Sequence, residues 1–433
     1  MEYDVIIIGA GAAGLIAARD LARAGRSVAL LEARERIGGR ILEAIDPRAG
    51  APIELGAEFV HGRPPITHEL LREIGAPVID DAESSFELVD GMLRPVAGDP
   101  FEAAGRLLAR ALERPEDESV ASLLARSSGD ADSRAAAAWA GRLVSGFDAA
   151  DPERASARAI AREWTGDASA QGVQARPAGG YRALVAHLGR SLDPARVRLL
   201  ARTVVTSVAR DASGVTVHAD GPLGSTAFRA RRVLVTVPAG VLDAGAAGEG
   251  TIDFAPALPP HTREAIAHLA MGPVVKVVMR FRVPFWERIH DGAFRDGAFF
   301  SGDGAFPTLW TQLPVRATTL AAWAGGPAAA RLAGRSETAC VGDALACAAR
   351  YFGDAEAAYD AFESAYVHDW QGDPFARGAY AYVTVGGEGA PEELARPVDD
   401  TVFFAGEATA SDGEVGTVAG ALASGVRAAR ALR

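Results

Sequence analysis

The chain opens on a short apolar, β-branched run at residues 4–8, which predicts a buried strand. A glycine-rich turn follows, then a helical stretch over 15–24 and a second apolar run over 27–31 that ends at Glu32. Further strands are predicted at 197–200, 203–208, 215–218 and 233–237, the last closed by Pro238. Across 272–281 strand alternation puts Val274, Lys276 and Val278 on one face and Val275, Val277 and Met279 on the other. Strands over 308–313, 318–323 and 401–404 and a helix over 417–432 complete the pattern, and the start of 76–190 is helix-prone. Strands interleaved with helices predict an α/β class.

The first turn reads Gly9-Ala10-Gly11-Ala12-Ala13-Gly14, the G-x-G-x-x-G pattern in its strand–turn–helix–strand setting. Gly9 permits the tight turn, Gly11 lets a pyrophosphate approach the backbone, and Gly14 lets helix and strand pack. Free N–H groups at the helix start, around Ala13, favour phosphate. Glu32 lies where a carboxylate accepts hydrogen bonds from ribose hydroxyls. This pattern alone leaves NAD and FAD open. The next residues, Ala33-Arg34-Glu35-Arg36-Ile37-Gly38-Gly39-Arg40, resemble the R-x-G-G-R signature of glutathione-reductase-type FAD proteins. There, paired glycines admit a second phosphate or the ribityl chain, and Arg40 can hold phosphate bidentately.

Composition narrows the chemistry. Of 44 basic residues in 433, one is lysine, Lys276, and Val277 follows it, so no G-K-[ST] phosphate loop exists. A formal charge of −12 argues against nucleic acid as a partner. The eight histidines show no metal-ligand spacing, so no metal is expected. Cys340 and Cys347 form no C-x-x-C and fit a reduced cytoplasm. No run reads as a signal peptide or membrane span, and a cytoplasmic, non-membrane protein is expected. No G-x-S-x-G or H-E-x-x-H motif occurs.

Five segments, in order, resemble the flavin-containing amine oxidases, the family of monoamine and polyamine oxidases and histone lysine demethylases. They are Glu54-Leu55-Gly56-Ala57-Glu58-Phe59-Val60-His61-Gly62, Gly179-Gly180-Tyr181, residues 233–238, residues 275–286 around Lys276, and residues 403–420 with Gly406-Glu407 and Gly416-Thr417-Val418. The resemblance implies a discontinuous Rossmann-type, glutathione-reductase-like FAD-binding domain (1–75, 191–250, 393–433). Beside it stands an α+β substrate-binding domain (76–190, 251–392). It assigns Gly56, Ala57, Glu58, the backbone of Val205, Trp370, Gly406, Glu407, Gly416, Thr417 and Val418 to FAD, with Glu407 at the ribityl or phosphate region. FAD is expected to be non-covalent, because Ala379 stands where monoamine oxidases carry their flavin-bonded cysteine.

Lys276 draws attention on its own. Flanked by valines on its face, its charge is expected to be poorly solvated, a condition that lowers a lysine pKa. A chain that writes arginine at every other basic position keeps lysine here. By resemblance it holds a water beside flavin N5, assisting dioxygen reduction and imine hydrolysis. Lys276, Tyr380 and His61 form the implied catalytic set, and Phe59, His61, Tyr380 and Thr417 the substrate contacts. The implied reaction is oxidative deamination of a primary or secondary amine, mono- or polyamine, with dioxygen as acceptor. A flavin-dependent desaturase or dehydrogenase on a non-amine substrate, or a low-turnover flavin-bound binding protein, remains the alternative. Arg63 keeps a carboxylate-bearing amine open.

Overall fold

The computed structural model describes residues 2–433 except 83, 128, 166–173, 223, 244, 246–247 and 412. Two large sheets organise it. In the first, Glu2–Ile8 lies between Val28–Leu31 and Gly224–Val235, with Val197–Leu200 beyond the former and Val402–Phe404 beyond the latter, all parallel. Helix Ala12–Arg23 makes the first crossover. It shows little polar face because the sheet covers one side and helix Val418–Ala431 packs on the other.

Gly224–Val235 serves three partners. Residues 224–230 pair antiparallel with Gly214–Gly221, which pairs with Val204–Asp211; residues 229–235 pair parallel with Glu2–Ile8, and the last three also with Val402–Phe404. The strand predicted at 233–237 is only the apolar end of this element. Its polar first half is largely exposed and carries no apolar alternation to read. Asp253–Ala255 adds a further parallel strand against Val204–Asp211, so the domain boundary expected at 250 falls inside this sheet.

The second sheet runs Phe362–Asp369, Val274–Phe281, Thr319–Gly325, Thr308–Trp310, Phe299–Ser301, Ser85–Val89, Met92–Pro95. Every residue of Val274–Phe281 is buried. The alternation read from sequence holds: Val275, Val277 and Met279 pack with helix Glu337–Phe352, whereas Val274 and Val278 join smaller clusters on the opposite face. The hairpin Ser85–Val89/Met92–Pro95 lies in the stretch expected to be helix-prone; its half-exposed side chains give only a weak strand signal. Helices Pro100–Ala109, Val120–Arg126, Ala131–Gly146 and Ala157–Thr165 follow it and share one apolar core. Among the described residues, no helix is long and apolar enough to cross a membrane.

Candidate active site

A cavity of about 1160 Å³ runs between the sheets. Every residue assigned to cofactor or substrate from sequence lines it except Gly14. Gly14 does the packing expected of it, since a Cβ there would lie 1.9 Å from the Gly9 carbonyl oxygen. Gly9 adopts φ +102°, and the Thr236 hydroxyl donates to the carbonyls of Ile8 and Gly9, both at 2.9 Å, which fixes the turn.

The dinucleotide end fits a pyrophosphate. A Cβ on Gly11 would meet no protein atom closer than 4.0 Å, so the space beside its backbone is open. Helix Ala12–Arg23 starts there with no acidic residue in its first turn, leaving its N–H groups and positive dipole end uncompensated. Glu32 is buried, and its two oxygens accept the N–H groups of Ala10 (2.8 Å) and Arg34 (2.9 Å). That fixes the carboxylate while leaving each oxygen a second lone pair for a ribose. Val205 lines the cavity at an irregularity in its ladder.

Two residues expected at the phosphate or ribityl region are engaged with each other. Arg40 Nη1 donates to Glu407 (2.6 Å) and to the Ala379 carbonyl (2.8 Å). The other Glu407 oxygen accepts the N–H groups of Ala381 (3.2 Å) and Gly416 (3.1 Å). Glu407 therefore staples three segments of the wall around the cavity. Trp370 is likewise tied down, its ring N–H donating to the Leu55 carbonyl at 2.9 Å. Helix Val418–Ala431 points its N-terminus at the cavity, capped by Thr417, whose hydroxyl accepts the Gly420 N–H at 2.9 Å; its first turn is also free of acidic residues.

Lys276 is buried, but it is not the isolated charge that its valine neighbours suggested. Its Nζ lies 2.6 Å from Glu58 Oε2 and 5.1 Å from the Trp310 ring centre. Glu58 also accepts from Arg176 Nε (2.8 Å), Trp310 Nε1 (3.1 Å) and Gln312 Nε2 (3.2 Å). The side chain of Glu58, assigned from sequence to the cofactor, is thus saturated by protein donors. Burial alone would raise its pKa; the charges of Lys276 and Arg176 outweigh that and hold it at about 2. Motif position reports where the backbone of residue 58 runs, and the loop between Ile53–Glu54 and Val60–His61 then aims its side chain at the lysine.

The remaining wall is aromatic. Tyr380 donates its hydroxyl proton to the Phe147 carbonyl, and His61 meets Phe147 edge-on at 5.2 Å between ring centres. Phe101 and Trp164 pack beside Phe147. Burial lowers the His61 pKa to about 4 and raises the Tyr380 phenol well above its ordinary value, so both rings are neutral near pH 7. Asp148 touches the Trp164 ring N–H at 3.2 Å, and burial pushes its pKa up to about 8. Phe147, Asp148 and Trp164 went unnoticed in the sequence; no motif marks them, and only the packing of their helices brings them together. Arg63 does not line the cavity itself; it pairs with Asp80, which does, at 2.8 Å.

Residues 12–433 match the family described as flavin containing amine oxidoreductase. The chain belongs to this family. A flavin held by a dinucleotide-binding turn is FAD, and this oxidoreductase acts on amines. Polyamine oxidase 3 of Oryza sativa subsp. japonica is 30% identical over 99% of this chain and 89% of its own length. Lysine-specific histone demethylase 1 homolog 3 of Arabidopsis thaliana is also 30% identical over 99% of this chain, which spans only 30% of that longer protein. Among solved structures, a putrescine oxidase variant with redesigned cofactor binding superposes with a TM-score of 0.80 at 25% identity, covering 99% of this chain and 98% of that one. Cyclohexylamine oxidase from Brevibacterium oxydans shares the fold, with a TM-score of 0.80 at 23% identity over 100% and 99% of the two chains.

Proposed function

We propose that this flavoprotein oxidatively deaminates a small primary or secondary amine, mono- or polyamine, reducing dioxygen to hydrogen peroxide. One observation carries the reading: Lys276 and the ring of Tyr380 line the same closed space as the glycine turn and the N-terminus of Val418–Ala431. Bound non-covalently, FAD supplies a hydride acceptor at N5. Gly11, Ala13, Glu32, Arg34, Gly38 and Gly39 would hold its dinucleotide part, and residues 56–57 and 416–418 its ring. Ala379 offers no side chain that could bond it.

The chain's own residues then do three things. Tyr380, His61, Phe147 and Trp164 exclude water and present neutral rings, which favour an uncharged amine, the form whose α-carbon can give up hydride. The helix end at Thr417 stabilises negative charge that develops on the ring system beside it. Lys276 holds a proton-donating group at the cavity wall, available to order the water that converts imine to aldehyde or ketone. That polyamine, putrescine and cyclohexylamine oxidases are relatives or neighbours supports small amines as the substrate class.

The test is an anaerobic amine panel. Loss of the flavin absorbance near 450 nm with at least one mono- or diamine, followed by peroxide on admitting air, is the expected result. No bleaching across the panel would refute the reading.

A further inference from the structure

Glu58 belongs to a buried string of alternating charge: Lys276, Glu58, Arg176, Asp81. Both side chains of the Lys276–Glu58 pair are almost wholly buried, at 1% and 4% exposure. Lys276 has one short polar contact, Glu58; its other acceptor, the Gly56 carbonyl, lies at the 3.5 Å limit. Glu58 cannot swing, because its donors come from separate strands and loops at 176, 276, 310 and 312. Arg176 in turn bonds Asp81 and the carbonyls of Thr311 and Leu313 and lies over the Phe59 ring at 4.3 Å.

We propose that Glu58 is a positioning residue that pins the Lys276 ammonium, in its charged form, at one point of the cavity wall, with Arg176 as its anchor. The proposal rests on the reading of Lys276 as the lysine that faces the flavin. The string carries two positive and two negative groups, so the charge of Lys276 is balanced inside the protein and needs no solvent. The other titratable groups around it are few. Glu54 stands on Ile53–Glu54, close enough to feel the lysine's charge, and its remaining oxygen has no partner. His368, the register partner of Lys276 on Phe362–Asp369, faces Asp373 at 3.3 Å.

A fixed cation has a kinetic consequence. Dioxygen takes up two electrons and two protons to leave as hydrogen peroxide, and a cation at the wall stabilises the negative charge that builds before the protons arrive. With Glu58 in place, that charge stays constant across the pH range in which the amine substrate itself titrates. The contribution of Lys276 to the oxygen half-reaction is then flat with pH, and the pH dependence of turnover comes from the amine and from the Glu54 and Asp148 carboxyls, which burial pushes up to about 8.

Lys276 is the only lysine in the chain, so ε-15N-lysine labelling gives a single side-chain signal. In FAD-loaded protein the ammonium signal is expected to persist from about pH 6 to 9, and in Glu58→Gln to give way to the amine within that range. Reoxidation by dioxygen after dithionite reduction, with no amine present, is expected to show no fall due to Lys276 over that range. In Glu58→Gln it is expected to fall roughly tenfold per pH unit once the ammonium is lost. Glu58→Asp, which keeps the charge, should restore the ammonium signal. A wild-type lysine already neutral at neutral pH, or a Glu58→Gln signal that stays ammonium throughout, overturns the proposal. The wild-type titration needs no variant and decides the matter if Glu58→Gln fails to fold. A protein that oxidises no amine yet gives these titrations loses the reading above and keeps this one.

Discussion

Lys276→Met is the perturbation that separates structure from chemistry at this site. Methionine fills much of the lysine volume but strands the carboxylate of Glu58 in a buried position. Removing one partner of a buried pair costs roughly 3–5 kcal/mol. The low end applies because Arg176, Trp310 and Gln312 continue to donate to Glu58. A chain of 433 residues unfolds with an entropy of about 0.9 kcal/mol/K, so a loss of about 3 kcal/mol lowers the melting temperature by about 3 °C. The variant should still fold and bind FAD as a yellow protein, while amine turnover drops by about a hundredfold or more. Lys276→Met with Glu58→Gln removes both charges and should regain most of the lost melting temperature without regaining turnover. Differential scanning calorimetry and peroxide release read the two effects separately. Wild-type turnover in Lys276→Met would end the catalytic role, and a double variant no more stable than the single one would end the ion-pair argument. Lys276→Arg should fail nearly as badly, because a longer, forked guanidinium cannot place its charge at the point that the Nζ occupies 2.6 Å from Glu58 Oε2.

Two glycines of the first turn should respond in opposite ways. Gly11→Ala places its methyl in open space and should leave the apoprotein melting temperature unchanged while FAD is lost on gel filtration; Gly14→Ala drives a methyl into the Gly9 carbonyl and should abolish soluble protein. Burial holds the Glu54 pKa up at about 8, so the folded state carries a proton that the unfolded state has lost between about pH 4.5 and 8. Its contribution to stability is complete at acid pH and falls by about 1.4 kcal/mol per pH unit through that window; Glu54→Gln should flatten that part of a melting-temperature profile. Tyr380→Phe leaves the Phe147 carbonyl without its donor, which should cost about 1 kcal/mol and raise KM more than it lowers kcat. Wild-type turnover should rise toward alkaline pH as the amine substrate deprotonates, and a flat profile would contradict hydride transfer from the neutral amine.

The parts of this protein legible in sequence are those where one residue type at a fixed spacing does the work. The glycines of the first turn, the single Lys276 and the start of the last helix near Thr417 are of that kind, and the strands around them were predicted within a few residues. Side-chain partnerships across long separations were not legible. Arg40 and Glu407, far apart in the chain, were each given to the cofactor, Arg40 for its charge beside paired glycines and Glu407 by resemblance, and neither reading pointed to the other as partner. Glu58 was assigned to the cofactor by resemblance, and its partners Arg176 and Lys276 lie in stretches that carry no shared motif. The aromatic wall is hidden differently: Phe147 and Trp164 look like ordinary helix-end apolar residues until two helices bring them together edge to face.

The parallel sheet places its last-made strand at one edge. Val402–Phe404 pairs with residues 233–235, and helix Val418–Ala431 closes on Ala12–Arg23 so tightly that a methyl on Gly425 would strike the Ala13 carbonyl at 2.4 Å. During synthesis, then, the glycine turn is made long before the layer that supports it exists. Until that moment the strands Glu2–Ile8 and Val28–Leu31 depend on chaperones or on transient collapse to stay out of aggregates.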